Sequence, residues 1–314
     1  MIGRRLLIAV PILFVSAVIV FAIMRLVPGD PAAAILGSNA TPAAIIALRH
    51  QLGLDQPVTN QFFHWLGGVL HGDFGHDYVT NQSITQEITS RLPVTAELAA
   101  VAFVLALVVA VPLGVIAAVR RDGWIDRFIR GIAVITIALP DFVFGMIGVL
   151  VFALKMSLAP TSGFISISEG GLGQNIQSLA LPAIALALGL GGVLVRTTRS
   201  AMVDVLDADY VRFARASGFG GLTVVFRYAL RNAAVPIVTV IGLQLGYLLG
   251  GTVVVEQLFG LPGIGQLIVQ AMLNRNYPVV QACVLIFVVA FIVASLITDI
   301  VYTVLNPRLR KAAS

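Results

Sequence analysis

The residue that most directly suggests chemistry is Asp141, the one ionisable side chain within the apolar stretch 131–154. A charge in the middle of a membrane helix costs at least about 2.5–3.5 kcal/mol, so Asp141 is expected to face protein or water. It could line a pathway and meet the amino group of a solute. It could equally be a polar residue held by a neighbouring subunit, or a protonated one inside the bundle. Gln244 and Tyr247, in a later apolar stretch, are candidates for the same pathway or for hydrogen bonds between helices.

A second set of candidates lies in the polar segment 199–232. Helical spacing predicts one face of a short helix from four residues: Tyr210, Phe213, Ala214 and Ser217. Arg212 and Arg215 lie beside that face. Two acids are placed to cap the helix and three glycines to end it: Asp207 and Asp209, then Gly218, Gly220 and Gly221. Such a helix could dock in a groove of a partner protein, or simply lie on anionic lipid.

Other kinds of chemistry find little support. The four histidines all lie in the segment 29–91, near Asp73 and Asp77: His50, His64, His71 and His76. Their spacing fits no tight ligand pattern, which favours surface or packing roles over a metal site. A P-loop needs a lysine after glycine, and neither Lys155 nor Lys311 follows one. With no HExxH or GxSxG motif either, the chain itself is not expected to be an enzyme.

The composition indicates the solvent that these residues face. Of the 314 residues, 58% are hydrophobic and only 11% are charged, whereas soluble domains carry about 25% charged residues. The sequence therefore predicts an all-α integral membrane protein, with one transmembrane domain over 1–314. Six stretches are apolar and long enough to cross a bilayer: about 6–27, 94–119, 131–154, 179–198, 233–255 and 279–305. The single cysteine, Cys283, excludes an intrachain disulfide.

The distribution of basic residues predicts the orientation. Fifteen of the 20 Lys and Arg residues lie in one alternate set of loops and ends, which includes Arg4, Arg5, Arg308 and Arg310. The positive-inside rule places that set, and both termini, in the cytoplasm. The same rule explains the net charge of +5, so nucleic-acid binding is not needed to account for it.

Two segments on the outer side have structure of their own. The long loop 29–93 shows helical periods at 42–52 and 59–70, and Thr41 followed by Pro42 is typical of a helix start. The segment 256–265, EQLFGLPGIG, has the composition of a turn, either folded back toward the membrane or lying on the surface.

Nine short motifs, in order along almost the whole chain, resemble a known family. They are RLVPGDP at 25–31, LGLDQP at 52–57, WLGG at 65–68, GDFG at 72–75, RLPVT at 91–95, DYVRFARASG at 209–218, LRNAAVP at 230–236, LPGIG at 261–265 and NPRLR at 306–310. On these motifs the chain resembles the permease subunits of ABC importers for dipeptides and oligopeptides. Two departures concern Arg212-Phe213-Ala214, where the wider superfamily has Glu-Ala-Ala, and Asp141, where a neutral residue is usual.

The resemblance implies a type I importer architecture with six spans and a cytoplasmic coupling helix. The residues that it assigns to ATPase coupling are Asp209, Tyr210, Arg212, Phe213, Ala214, Arg215 and Gly218. It further implies a paralogous second permease, two ATP-binding subunits or domains that hold ATP and magnesium, and an extracytoplasmic binding protein. This chain itself would need no cofactor, and its remaining neighbour would be membrane lipid.

The predicted function is therefore peptide import across a bacterial cytoplasmic membrane, driven by separate ATPase subunits. Within the same class the cargo could instead be a nickel chelate, a glutathione-like molecule or haem. A secondary transporter driven by an ion gradient is the alternative from another class. It would need inverted repeats and several ionisable groups at the midplane, and the sequence offers no clear repeat and one such residue.

Overall fold

A computed structural model describes residues 2–26, 29–37 and 40–305, and most of these residues are helical. The motif NPRLR at 306–310, and Val27 and Pro28 of RLVPGDP, lie outside the described residues. The helices, in chain order, are α1 Ile2–Leu26, α2 Pro31–Leu36, α3 Pro42–Gln51, α4 Val58–Leu70, α5 Ile84–Val119, α6 Trp124–Ala138, α7 Asp141–Gly148, α8 Ile167–Leu206, α9 Asp209–Ala216, α10 Gly221–Thr223, α11 Arg231–Phe259, α12 Ile264–Leu273 and α13 Tyr277–Leu305. Two π-helical stretches, Val149–Lys155 and Val224–Leu230, follow α7 and α10.

Five of the helical runs are long and apolar enough to cross a membrane. They are α1, α5, α8, the run from α10 through α11, and α13. The last four of these runs each contain one of the predicted spans, and α1 contains the described part of the predicted span 6–27. The predicted fourth span, 179–198, lies within α8, which extends beyond the span at both ends and is kinked at Gly171, where φ is +70° and ψ is 177°. Helices are expected here because lipid offers no partners for backbone N–H and C=O groups.

The predicted third span is not one straight helix. Helices α6 and α7 meet at an angle of 102°, so the pair forms a broken span or a re-entrant loop. Leu139 and Pro140 adopt extended backbone conformations at the break, with ψ angles of 135° and 149°. Proline lacks an N–H and disfavours a helical conformation in the residue before it, which explains why the helix stops there.

By contacts the chain forms two compact units, the first made of Met1–Thr95 and Leu261–Ile292. Its core joins the start of α5 to α12 and α13 through fully buried side chains that include Ile84, Ile264 and Val279. The Thr41 side chain accepts a hydrogen bond from the N–H of Ala44, which agrees with the predicted start of α3.

The predicted turn 256–265 is much shorter in the structure. Helix α11 continues to Phe259, and Gly260 ends it with a φ of +60°, a conformation that favours glycine. Helix α12 already begins at Ile264, whose N–H donates to the Thr95 hydroxyl at 2.8 Å. Leu261 and Ile264 are fully buried, so the segment is not a surface turn.

The second unit comprises Ala96–Gly260 and Val293–Ser314, and α8 is its central helix. In the most apolar 18-residue stretch of α8, 72% of the residues are buried, whereas the corresponding share is 28% or less in the other four long runs. Helices α6, α7 and α11 all pack against α8. Small residues also allow α5 to approach α8 closely. A β-carbon at Gly114 of α5 would lie only 2.6 Å from the β-carbon of Thr198 on α8.

A buried ion pair ties α6 to α8 within this unit. The Asp126 carboxylate is completely buried and accepts two hydrogen bonds from the Arg199 guanidinium, at 2.6 and 2.8 Å. The Asp122 N–H donates to it at 3.0 Å, and Arg130 lies 3.3 Å away. The carboxylate is thus fully surrounded by donors, as a buried charge must be.

We expect Arg199→Ala to lower the free energy of unfolding by about 3–5 kcal/mol, because it leaves a buried carboxylate without its cation. Arg121→Ala is the matched control, since Arg121 forms a 2.8 Å ion pair with Asp207 in which both side chains are about half exposed. Its expected cost is about 1 kcal/mol or less. Thermal unfolding of both variants in the same detergent measures the difference, and equal shifts would contradict this account of the Asp126 pair.

Candidate functional site

Asp141 lies where three helices converge. It is the first residue of α7 and its side chain is almost completely buried. The Tyr247 hydroxyl of α11 donates to its Oδ1 atom at 3.3 Å. A β-carbon at Gly189 of α8 would overlap the carboxylate, and one at Gly251 of α11 would lie 3.0 Å from Oδ2. The two glycines therefore provide the space that the carboxylate occupies.

The break at Pro140 explains why the carboxylate reaches this position. Helix α7 restarts directly after the extended residues, so Asp141 stands in its first turn, where unpaired N–H groups favour a negative charge. A straight span would have placed the same side chain midway along a continuous helix. The arrangement can hold a carboxylate in an apolar bundle and present it to a cationic group.

Of the three predicted pathway residues, the structure brings Asp141 and Tyr247 together. Gln244 is half buried one turn earlier on α11, and among the described residues it forms no hydrogen bond with either. Gly189 and Gly251 were not predicted. Their one signal in the sequence was the occurrence of glycine within apolar stretches, which does not say what each glycine contacts.

One side of α11 is open next to this site. Leu243, Tyr247, Gly250 and Val254 are all exposed in the chain and recur at helical spacing. The Tyr247 ring is half exposed on this side, while its hydroxyl reaches Asp141. The carboxylate is therefore one side chain away from the surface of the chain.

Helix α9 is the short helix that the sequence predicted, and it has a buried and an exposed side. Val211 and Ala214 are buried in a cluster with Val115, Met202 and Leu206 of α5 and α8. Tyr210 and Phe213 are on the outer side, with 46% and 73% of their surfaces exposed. Ala214, which the spacing groups with them, is buried and helps to anchor the helix. Partial burial raises the pKa of the Tyr210 hydroxyl, so it stays protonated near neutral pH.

The predicted caps of α9 are also different in the structure. Ala208 is the N-cap and no side chain caps the helix. Asp207 ends α8 and pairs with Arg121 at 2.8 Å. Asp209 is in the first turn, fully exposed and 3.8 Å from Arg212. Gly218, with a φ of +85°, follows the end of the helix as predicted.

A groove lies beside α9 in the same unit. Its volume is about 650 Å³, and Arg121, Asp207 and Arg215 contribute its polar groups. Leu222, Val224 and Val225 contribute apolar surface from the segment after α9. The exposed knob of Tyr210 and Phe213 and this groove together form an irregular surface with mixed charge, of the kind that a partner protein can match.

The histidines of the first unit are dispersed. His71 Nδ1 lies 2.7 Å from the Gly67 carbonyl oxygen, and His50 lies 3.9 Å from Asp55. Within the described ranges, no three His, Cys, Asp or Glu side chains come together in a way that could hold a metal ion.

Comparison with known families identifies the kind of protein. Residues 110–311 match the family model described as "Binding-protein-dependent transport system inner membrane component". Residues 1–99 match the model for the N-terminal region of such components. Together these two matches cover both units of the chain.

Similar proteins and structures agree with those matches. A peptide transport system permease protein of Brucella abortus (strain 2308) is 40% identical over 98% of both chains. The glutathione transport system permease protein GsiC of Escherichia coli (strain K12) is 41% identical over 98% of this chain and 97% of that protein.

The fold is also found in a solved structure. An inward-facing form of the MetNI methionine ABC transporter aligns with a TM-score of 0.58 and 16% identity, over 70% of this chain and 97% of that one. At this level of identity the likeness shows the fold alone, an all-α helical bundle. From the family matches and the two relatives, the chain belongs to the binding-protein-dependent transport system inner membrane components and is a permease subunit of an ABC importer.

Proposed function

We propose that this permease carries short peptides into the cytoplasm as part of an ATP-driven complex. The complex would contain a paralogous second permease, two ATP-binding subunits or domains, and an extracytoplasmic binding protein that delivers the cargo. ATP and magnesium would bind to the partner subunits. Both termini and α9 would lie in the cytoplasm, in agreement with the distribution of basic residues.

The observation that carries the proposal is the two-sided construction of α9. Its base, Val211 and Ala214, is fixed in the core of the second unit, whereas Tyr210 and Phe213 project outward. An exposed aromatic pair on an anchored helix suits insertion into a groove of a partner protein. An interfacial helix resting on lipid would instead have no need of an attachment to α8 and to the π-helical stretch Val224–Leu230.

The connections of α9 indicate how a movement would reach the pathway. It follows α8 after two residues, and α10 with its π-helical continuation leads from it into α11. Helices α8 and α11 are the two that contribute Gly189 and Gly251 to the Asp141 site. A displacement of α9 by an ATPase would therefore act on both helices, and would bias inward-facing and outward-facing arrangements of the spans.

We expect the double change Tyr210→Ala, Phe213→Ala to abolish peptide uptake, and the permease's stimulation of ATP hydrolysis, while leaving membrane insertion intact. Both side chains are exposed, so their removal should cost the fold little. The measurement is labelled-peptide uptake and ATPase activity of the complex in vesicles. Trp124→Ala is the matched control, since Trp124 is a 74% exposed aromatic of the same unit outside α9.

Two results would count against the proposal. Unchanged uptake in the double variant would remove α9 from the coupling mechanism. Uptake that proceeds on an ion gradient without ATP would favour a secondary transporter and overturn the functional class as a whole.

Asp141 supports a cargo with a free amino group. Peptides and glutathione-like molecules both carry one, and both types of cargo occur in the names of the relatives. The carboxylate lies in a bundle of low polarity, where a charge-assisted hydrogen bond to an ammonium group is stronger than in water. Nickel chelates and haem present no such group, so this site gives them less support.

We expect Asp141→Asn to reduce uptake of a free dipeptide about ten- to one-hundredfold relative to its N-acetylated form, because a hydrogen bond to a charged group contributes about 1.5–3 kcal/mol. Asparagine keeps the shape and can still accept from Tyr247. Asp204→Asn, which changes an exposed acid of α8, serves as the control. An equal loss for both dipeptides would show that Asp141 has a structural role and does not recognise the amino group.

A further inference from the structure

A polar cavity of about 380 Å³ lies within the first unit, and neither the Asp141 site nor α9 contributes to it. It is bordered by Arg25 of α1, the loop between α3 and α4, Trp65 of α4, Tyr78, and the beginning of α13. No aspartate or glutamate is among the side chains that line it. The cavity therefore combines a cation with several neutral polar groups.

Arg25 is fixed in place, and no carboxylate of the described residues neutralises it. Its guanidinium lies 3.8 Å above the Phe21 ring and donates a hydrogen bond to the Gln61 side-chain oxygen. The Gln61 amide nitrogen in turn donates to the carbonyl oxygens of Gln56 and Leu54, at 2.8 and 3.4 Å, which holds that side chain. Among the described residues, no carboxylate lies within ion-pair distance of Arg25. A half-buried cation without an anion is unfavourable unless something supplies the charge.

Three more donors around the cavity lack partners. The Trp65 indole nitrogen, the Tyr277 hydroxyl and the Gln281 amide nitrogen are each buried without a hydrogen bond among the described residues. Tyr277 and Gln281 are 7% and 3% exposed, so bulk water does not compensate for the missing bonds. An indole N–H can only donate, and the other two groups can donate as well. Buried polar groups without a partner are rare in proteins, and three around one cavity indicate a missing acceptor.

We propose that this cavity is a binding site for a small oxyanion, a carboxylate or a phosphate group. Such a group accepts several hydrogen bonds at once and neutralises Arg25, which a cation or a neutral amide cannot do. Burial raises the pKa of the Tyr78 hydroxyl, so Tyr78 remains a neutral donor at the edge of the cavity. The ligand could be a free solute or the headgroup of an anionic lipid. The inference does not depend on the proposed cargo.

The chain supplies its own reporter for a test. It has two tryptophans, Trp65 in the cavity and the exposed Trp124. In a Trp124→Phe background, Trp65 fluorescence of the full-length chain in phosphatidylcholine nanodiscs can be titrated with acetate, inorganic phosphate or acetamide at constant ionic strength. A parallel preparation contains phosphatidylglycerol. We expect a saturable response to an oxyanion and none to acetamide.

Substitutions establish whether the response comes from the cavity. Arg25→Gln should raise the oxyanion concentration needed for half-saturation about tenfold or more, as expected for loss of a charge-assisted hydrogen bond. Arg49→Gln is the control, because Arg49 is exposed, pairs with Asp30 at 3.0 Å and does not line the cavity. If Arg25→Gln does not fold, Tyr277→Phe removes one hydroxyl only and should weaken binding about threefold or more.

Each outcome has a definite meaning. A response to acetate or phosphate in phosphatidylcholine supports the proposal with a soluble ligand. A response that needs phosphatidylglycerol and is lost in Arg25→Gln or Tyr277→Phe supports it with a lipid headgroup. An equal response to acetamide, an unchanged response in both cavity variants, or no response in any preparation would overturn it.

Discussion

The interruption of helical hydrogen bonding at Pro140 is the constraint on which the second unit depends. Helix α6 stops, two residues run extended, and α7 restarts with Asp141. Irregular backbone at membrane depth is tolerated only where protein or water surrounds it. Here α8 and α11 come close at Gly189 and Gly251, and the carboxylate fills the space that their missing side chains leave. A larger residue at Gly189 would have to displace the carboxylate or the helix.

The same helices connect this site to α9. From Gly189 to the end of α8 at Leu206 the helix rises roughly 25 Å, at about 1.5 Å per residue. Arg199 lies within that stretch, and its bonds to the buried Asp126 fasten α8 to α6. Because each part is held by packing or by satisfied charges, the proposed push on α9 would be passed on as movement of whole helices. Coupling of this kind requires that these helices have two arrangements, both of which the two sites can bias.

Much of this architecture could be predicted from the sequence, because a helix that crosses a bilayer needs about 20 mostly apolar residues and a hydropathy profile detects them. Five spans fall within continuous helical runs, and a short helix does occupy 209–216. The break within the third span was not predicted, because proline has no single outcome within a membrane helix. Pro182 and Pro236 lie inside α8 and α11, whereas Pro140 ends a helix. Whether a proline stays within a helix or ends it depends on whether neighbouring groups form hydrogen bonds with the freed backbone carbonyl groups. Those neighbours are distant in sequence, so the local sequence does not reveal them.

The details of the candidate sites were out of reach for the same reason. Ala214 is buried in a cluster that joins α9 to α8 and to the π-helical stretch Val224–Leu230, and its own spacing along α9 does not reveal that. Asp126 and Arg199 are 73 residues apart, and a count of charges in each segment does not show that these two side chains form an ion pair. Gly189 and Gly251 matter because both lie against the Asp141 carboxylate. In each case the missing information is the rotation of one helix against another.

The central claim is that events at α9 reach the Asp141 site, and a thiol placed beside that site tests it most directly. Gly250 is exposed, and a side chain built there meets no atom of the described residues within 4 Å. Cys283 is fully buried and so leaves an introduced Gly250→Cys thiol as the accessible one. Its modification by a charged thiol reagent would be measured in the assembled complex, without nucleotide and trapped with ADP and vanadate.

The account predicts rates that differ about tenfold or more between the two states, and loss of that difference when Tyr210→Ala and Phe213→Ala are added. Equal rates in both states, or a difference that persists without the two aromatic side chains, would contradict it.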